Sequence, residues 1–269
     1  MTSATLHVAN EPTGNAKLRP NRVPEVTVDF WLIKLMAVTM GETAADYLAV
    51  NLGLGLTATS LIMSAVFAAI LAYQFRQQRY VPWVYWATVV LISIVGTLVT
   101  DNLVDNFGVS LPTTTIAFSA ALAATFAIWY AIEGTLSIHT IYSFRREAFY
   151  WLAILFTFAL GTSVGDLVAE QFAIGYLTTG LLFGAIIAAI AVIWYVLRTN
   201  SILAFWLAYI LTRPLGASFG DLLSQPIEYG GLGFGTVITS LIFLICIVAI
   251  VAYATLRQSR SEARTRAAA

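Results

Sequence analysis

The sequence predicts an all-α, polytopic membrane protein with eight transmembrane helices arranged as four pseudo-repeated hairpins of parallel topology. Three observations predict it. Apolar residues make up 59% of the 269 and charged residues only 10%, more apolar surface than a soluble domain of this size can bury. Eight apolar runs, near 30–48, 57–75, 81–103, 115–136, 149–168, 178–197, 202–223 and 236–256, each come close to the roughly 20 residues that carry a helix across a bilayer. A glycine followed five residues later by an aspartate occurs as Gly41/Asp46, Gly96/Asp101, Gly161/Asp166 and Gly216/Asp221, always near the end of an odd-numbered run.

The aspartates are 55, 65 and 55 residues apart. A recurring period of this kind marks one supersecondary unit used repeatedly, here a pair of helices doubled and doubled again. The repeats fall at 29–78, 79–143, 144–199 and 200–256. The runs are too long, and too little alternating, for barrel strands.

Residues 1–28 are polar, with Lys17, Arg19, Arg22 and three prolines. They lack the apolar core of a signal peptide and read as a flexible cytoplasmic tail. Arg76 and Arg79 follow run 2, Arg145 and Arg146 follow run 4, and Arg198 follows run 6. Arg257, Arg260, Arg264 and Arg266 lie in a basic cytoplasmic tail at 257–269. The other four loops contain no Lys or Arg, so the positive-inside rule puts both termini in the cytoplasm. Trp83, Trp86, Trp151 and Trp194 stand at the expected cytoplasmic interface. Every repeat then starts and ends on that side. The four aspartates lie toward the outer membrane surface, Asp46 about 24 Å along its helix from Phe30.

Carboxylates inside a membrane cost about 2.5 kcal/mol or more at a helix centre, so they face water or an interior. Seven are candidates for a metal site: Glu42, Asp46, Asp101, Asp105, Asp166, Glu170 and Asp221. Glu42/Asp46, Asp101/Asp105 and Asp166/Glu170 are four apart and share helix faces. Thr43, Asn102, Ser163, Ser218 and Gln225 would support the ligand. Carboxylates with neutral oxygens, without Cys or His, suit a hard cation such as Mg²⁺, Mn²⁺ or Ca²⁺. The bland alternative has each aspartate facing headgroup water and each glycine easing helix packing; packing accounts for the glycine better than for the acid.

Arg213, deep in run 7, needs a carboxylate, expected to be Asp101 or Asp166 from another repeat. Pro214 should kink or open that helix. Lys34 is expected to snorkel toward the cytoplasm, and Glu133 to pair with Arg145 or Arg146. His7 and His139 read as solvated, and Cys246 as an apolar filler. The zero net charge argues against nucleic acid as a partner. No Walker, Rossmann or zinc signature is present, and Gly165-Asp166 and Gly220-Asp221 lack the Gly-x-Gly-Asp setting of intramembrane aspartyl proteases, so no enzyme is read here.

The stretches Gly41 to Tyr47, Gly161 to Leu167 and Leu215 to Pro226 resemble a bacterial family of uncharacterised membrane-anchored proteins. That resemblance implies an inner-membrane location and no activity. A looser similarity links the repeats to cation/proton exchangers with Glu-x-Gly-Asp-Lys motifs, but the lysine is absent here. The function expected is a secondary transporter or exporter of a small cation, Mn²⁺ or Mg²⁺, coupled to protons. It needs no cofactor, and its partners are the bilayer and the cation itself. The alternatives are a non-transporting scaffold or periplasmic ion sensor, and an organic-cation or amine carrier lined by Tyr47, Phe107, Phe172 and Phe219.

Overall fold

The computed structural model describes residues 20–51 and 53–267, and these form eight long helices with short connections. The helices are α1 (Val28–Asp46), α2 (Leu56–Arg76), α3 (Pro82–Asp101), α4 (Leu111–Glu133), α5 (Phe144–Asp166), α6 (Tyr176–Leu197), α7 (Ser201–Ser224) and α8 (Thr236–Ala267). Local chemistry sets their starts. The side chains of Thr27, Ser110, Ser143 and Asn200 accept backbone N–H groups in the first turns of α1, α4, α5 and α7, satisfying donors that a helix start leaves open. Before α2 and α6, Gly55 and Gly175 hold φ of +75° and +82°, a region in which only glycine is free of strain.

Each expected apolar run is a helix in the structure. Seven of the eight helices are long and apolar enough to cross a membrane, and the protein is a multi-pass membrane protein. The exception is α1, which carries Asp29, Lys34, Glu42 and Asp46 and yet is among the most buried helices. Helix α8 runs on to Ala267, so the basic C-terminal segment continues the last helix. At the other end, residues 20–27 do not behave as the expected flexible tail. Val23 and Pro24 are buried, and Asn21 and Arg22 bond to distant loops. The preceding residues of that tail, Lys17, Arg19 and His7 among them, lie outside the described part.

Packing separates the helices into two shells. Helices α1, α3, α5 and α7 touch in cyclic order, α7 closing on α1, and each even helix packs on the next odd one: α2 on α3, α4 on α5, α6 on α7 and α8 on α1. Of the apolar span of α3, α5 and α7, 44–72% is buried, against 11–17% for the even helices, so the even helices are the lipid-facing shell. After Asp46, Asp101 and Asp166 the helix widens into a five-residue π turn, Tyr47–Asn51, Asn102–Asn106 and Leu167–Gln171. The fourth repeat has none. Pro226 stands where the others have Asn51, Asn106 and Gln171, and without an N–H it cannot close the wider turn.

Candidate functional site: a buried ion pair beneath an acidic mouth

The motif glycines are sockets. A Cβ on Gly41 would collide with the side chain of Ser93, one on Gly96 with Phe158, one on Gly161 with Arg213, and one on Gly216 with Val38. Each of these knobs sits three residues before the motif glycine of a neighbouring inner helix, so one contact recurs four times and closes the ring. Such close approach is what small residues permit between membrane helices.

Immediately after the glycines come Glu42, Thr97, Thr162 and Ala217, and three of these meet at Arg213. The Arg213 Nη2 lies 2.7 Å from Glu42 Oε2, donates to Thr162 Oγ1 at 2.8 Å and donates to Thr97 Oγ1. Thr97 Oγ1 also donates to Glu42 Oε2 at 3.2 Å. Arg213 is fully buried, and its Nε and Nη1 have no partner among the described residues. The guanidinium also lies 5.5 Å from the Phe158 ring centroid. Arg213 therefore pairs with Glu42 of α1 and not with Asp101 or Asp166. The socket at Gly161 fixes where its side chain leaves α7, and Glu42 is the carboxylate in reach.

Two further expectations are corrected. Helix α7 passes through Pro214 without interruption; the ring lies against Gly161 and the backbone against Gly165 of α5, while the Pro214 carbonyl accepts from Ser218 Oγ at 2.8 Å. Lys34 does not snorkel. It is buried, donating to Tyr209 O at 3.0 Å and to Thr212 Oγ1, with Nζ 3.8 Å from the Tyr209 ring centroid. Its shaft would have to cross a packed aromatic layer of Phe30, Tyr85, Trp86, Tyr150 and Trp206 to reach water. Glu133 does pair with both arginines, Arg145 at 2.5 Å and Arg146 at 2.6 Å, and His139 is exposed.

Above the ion pair, toward the ends of the inner helices, stand the four motif aspartates. Asp46, Asp101 and Asp166 are half-buried and Asp221 is buried. Each lies within electrostatic reach of Glu42 and of at least one other carboxylate of the set, and no salt bridge neutralises any of the four among the described residues. Gln225 Nε2 reaches Asp46 Oδ2 at 3.4 Å. Asp105 and Glu170 are exposed farther out, Glu170 accepting from Tyr176 OH at 3.1 Å. Among the described residues no three Asp, Glu, His or Cys side chains converge closely enough to hold a bare metal ion.

The expected supporting hydroxyls mostly serve helix packing. Thr43 Oγ1 meets Ser240 Oγ of α8 at 2.7 Å, Ser163 Oγ accepts from Thr115 of α4 at 3.1 Å, and Ser218 bonds within its own helix. Asn102 Oδ1 accepts from Thr57 and Asn106. Phe219 lies against Gly180 of α6, while Phe107 and Phe172 are exposed.

A further repeated signal lies on the even helices. Thr59, Thr114, Thr179 and Thr239 stand four residues after the N-caps of the even helices, and all four are buried. Each N–H closes the first turn on the cap carbonyl at 3.0–3.2 Å. Their repetition alone could have revealed them.

An inner ring interlocked through glycine sockets, with one buried guanidinium beneath unpaired acids, defines a multi-pass helical protein assembled from repeats around a polar axis. The family model confirms the repetition independently: the chain belongs to the family Repeat of Unknown Function (DUF347), whose model matches four times, over residues 30–80, 84–135, 149–200 and 204–260. No curated protein and no solved structure matches the chain.

Proposed function

We propose that the protein is a secondary transporter of a small divalent cation, Mg²⁺ or Mn²⁺, exchanged against protons, in a bacterial inner membrane with both termini cytoplasmic. In this reading all eight helices span the bilayer as four parallel hairpins about a pseudo-symmetric axis. Helix α1 crosses despite its charges because α3, α7 and α8 shield it.

The observation that carries the reading is the acidic mouth. Four inner helices each bring an aspartate to one electrostatic neighbourhood, and the nearby guanidinium is committed to Glu42. Unpaired carboxylates in a partly desolvated place attract a cation strongly. Because no three of them converge, the ion is held through its water shell. That suits Mg²⁺, which dehydrates reluctantly and is commonly bound by one or two carboxylates plus waters. Below the mouth, Glu42 is the next acceptor along the axis, and an ion reaching it competes with Arg213 for the same oxygens.

A second reading, an ion sensor or scaffold that does not transport, draws support from the axis itself, which Glu42, Arg213, Thr97 and Thr162 fill. An organic-cation carrier finds less, since Phe107, Phe172 and Phe219 do not gather around the acids. Proteoliposomes carrying an internal pH dye separate the first two. Under a Mg²⁺ or Mn²⁺ gradient, transport predicts proton movement that Asp166→Asn and Asp221→Asn abolish and Glu133→Gln leaves intact. Membranes that stay tight under every divalent gradient would assign the mouth to sensing.

A further inference from the structure

The N-terminal segment before α1 is stitched across the end of the ring opposite the acidic mouth. Asn21 Nδ2 donates to Ile138 O at 2.9 Å, and Asn21 Oδ1 accepts from Ile141 N at 3.0 Å. Arg22 N donates to Ile141 O at 2.9 Å, and Asn21 O accepts from Tyr80 N at 3.0 Å. Two consecutive residues thus join the α2–α3 linker to the α4–α5 linker. Next along the chain, Val23 and Pro24 are buried.

Arg22 then reaches inward. Its Nη1 lies 2.7 Å from Glu147 Oε2, and Glu147, in the first turn of α5, is wholly buried. The other Glu147 oxygen accepts from Gln74 Nε2 at 2.8 Å and from Trp151 Nε1 at 3.4 Å. Arg22 is the one cation paired with this carboxylate among the described residues. Behind the segment lie Phe30, Tyr85, Trp86, Tyr150 and Trp151, and beyond them Lys34 and the Arg213–Glu42 pair. The fourth junction, Arg198–Asn200, is exposed and takes no part.

We infer that residues 20–26 are a strap that closes the polar axis at its cytoplasmic end, latched by the Arg22–Glu147 ion pair. The α2–α3 and α4–α5 linkers must separate for an opening on this side, and the strap holds them together. A carboxylate buried with a single cationic partner makes a two-state latch. Paired, it is neutral and packs among aromatics; unpaired, its charge needs water, which drives the strapped end open. The inference builds on the proposed transport reading for its orientation alone, and its test needs no transport.

Thr157, fully buried on α5 between Glu147 and Gly161, reports on opening. In full-length protein carrying Cys246→Ala and Thr157→Cys, labelling by a membrane-impermeant thiol reagent is measured from each face of sealed vesicles. The strap predicts slow labelling from both faces. With Arg22→Ala, which strands the buried carboxylate, labelling from the cytoplasmic face should rise by about tenfold or more; with Glu147→Gln, which loses the latch but leaves no buried charge, it should rise by less, and labelling from the other face should not change in either. The exchanged pair Arg22→Glu/Glu147→Arg should restore protection, which separates loss of the latch from general unfolding. Labelling that stays slow in the single variants overturns the strap. So does a stably folded exchanged pair that remains unprotected, or a rise equal on both faces. A protein that moves no ion but shows the one-sided rise keeps the strap and loses the transport reading.

Discussion

Glu42→Gln isolates the buried ion pair. Arg213 is fully buried, two of its nitrogens already lack partners, and Glu42 is the one carboxylate bonded to it among the described residues. Breaking a buried pair by removing one charge typically costs about 3–5 kcal/mol, because the other charge stays behind uncompensated. The glutamine amide still offers an oxygen near Nη2, and Thr97 and Thr162 remain, so the expected loss for Glu42→Gln is about 3 kcal/mol, the low end of that range. For a chain of this size, 1 kcal/mol moves the midpoint by about 2–4 °C, so Tm of the purified protein should fall by about 6–12 °C. Arg213→Met alone strands Glu42 and should cost a similar amount. Replacing both, Glu42→Gln with Arg213→Met, should recover most of the loss, since an uncharged pair of similar volume is often as stable as the ion pair. The readout is thermal unfolding in detergent followed by tryptophan fluorescence, as a double-mutant cycle. Losses that simply add in the double variant, or single variants within about 1 °C of the parent, would refute a coupled ion pair at the centre.

Other residues give independent tests. Lys34→Met should shift stability by less than about 1 kcal/mol, because no described carboxylate within bonding distance is stranded and Thr212 Oγ1 still donates to Tyr209 O at 2.7 Å; a loss as large as that of Arg213→Met would show that Lys34 is charged and essential to the core. Gly161→Ala should destabilise by about 1–3 kcal/mol or more, as its Cβ would strike the Arg213 side chain and Pro214. Gly184→Ala, where the new methyl meets only Leu215 at 3.7 Å, should be neutral or stabilising in the same unfolding assay. Glu133→Ala should cost about 1–3 kcal/mol in that assay, because Arg146, only 13% exposed, loses its carboxylate, whereas the largely exposed Arg145 contributes little.

The architecture was legible because it depends on repetition and periodicity, which one sequence carries in full. Eight helices, their spans and the burial of the odd ones follow from the apolar runs and from a polar motif confined to alternate runs. What sequence could not supply is register between helices. Arg213 visibly needed a carboxylate, but whether Asp101, Asp166 or Glu42 stood opposite depends on which side chain fills the Gly161 socket, a contact between residues 52 positions apart. Thr43, Ser163 and Ser218 share one repeat position three residues before the aspartates, yet a helix turns about 100° per residue: the hydroxyls of Thr43 and Ser163 meet outer helices and that of Ser218 bonds within its own helix. Lys34 shows the same limit: its distance along α1 permits snorkelling, and the aromatic layer that forbids it comes mostly from three other helices, α3, α5 and α7. The strap at residues 20–26 has no periodic signal at all, only Val23 and Val26 set among prolines and polar residues.

If the four motif aspartates hold a hydrated divalent cation at the mouth of the axis, the purified protein must bind Mn²⁺ there, which electron paramagnetic resonance reads. Saturable loss of the narrow six-line signal of free Mn²⁺ is expected as the protein takes up the ion, abolished when Asp46, Asp101, Asp166 and Asp221 are all changed to Asn and retained in Glu133→Gln. Binding unchanged in the fourfold variant, or no saturable binding to the parent protein, would contradict a cation held by these aspartates.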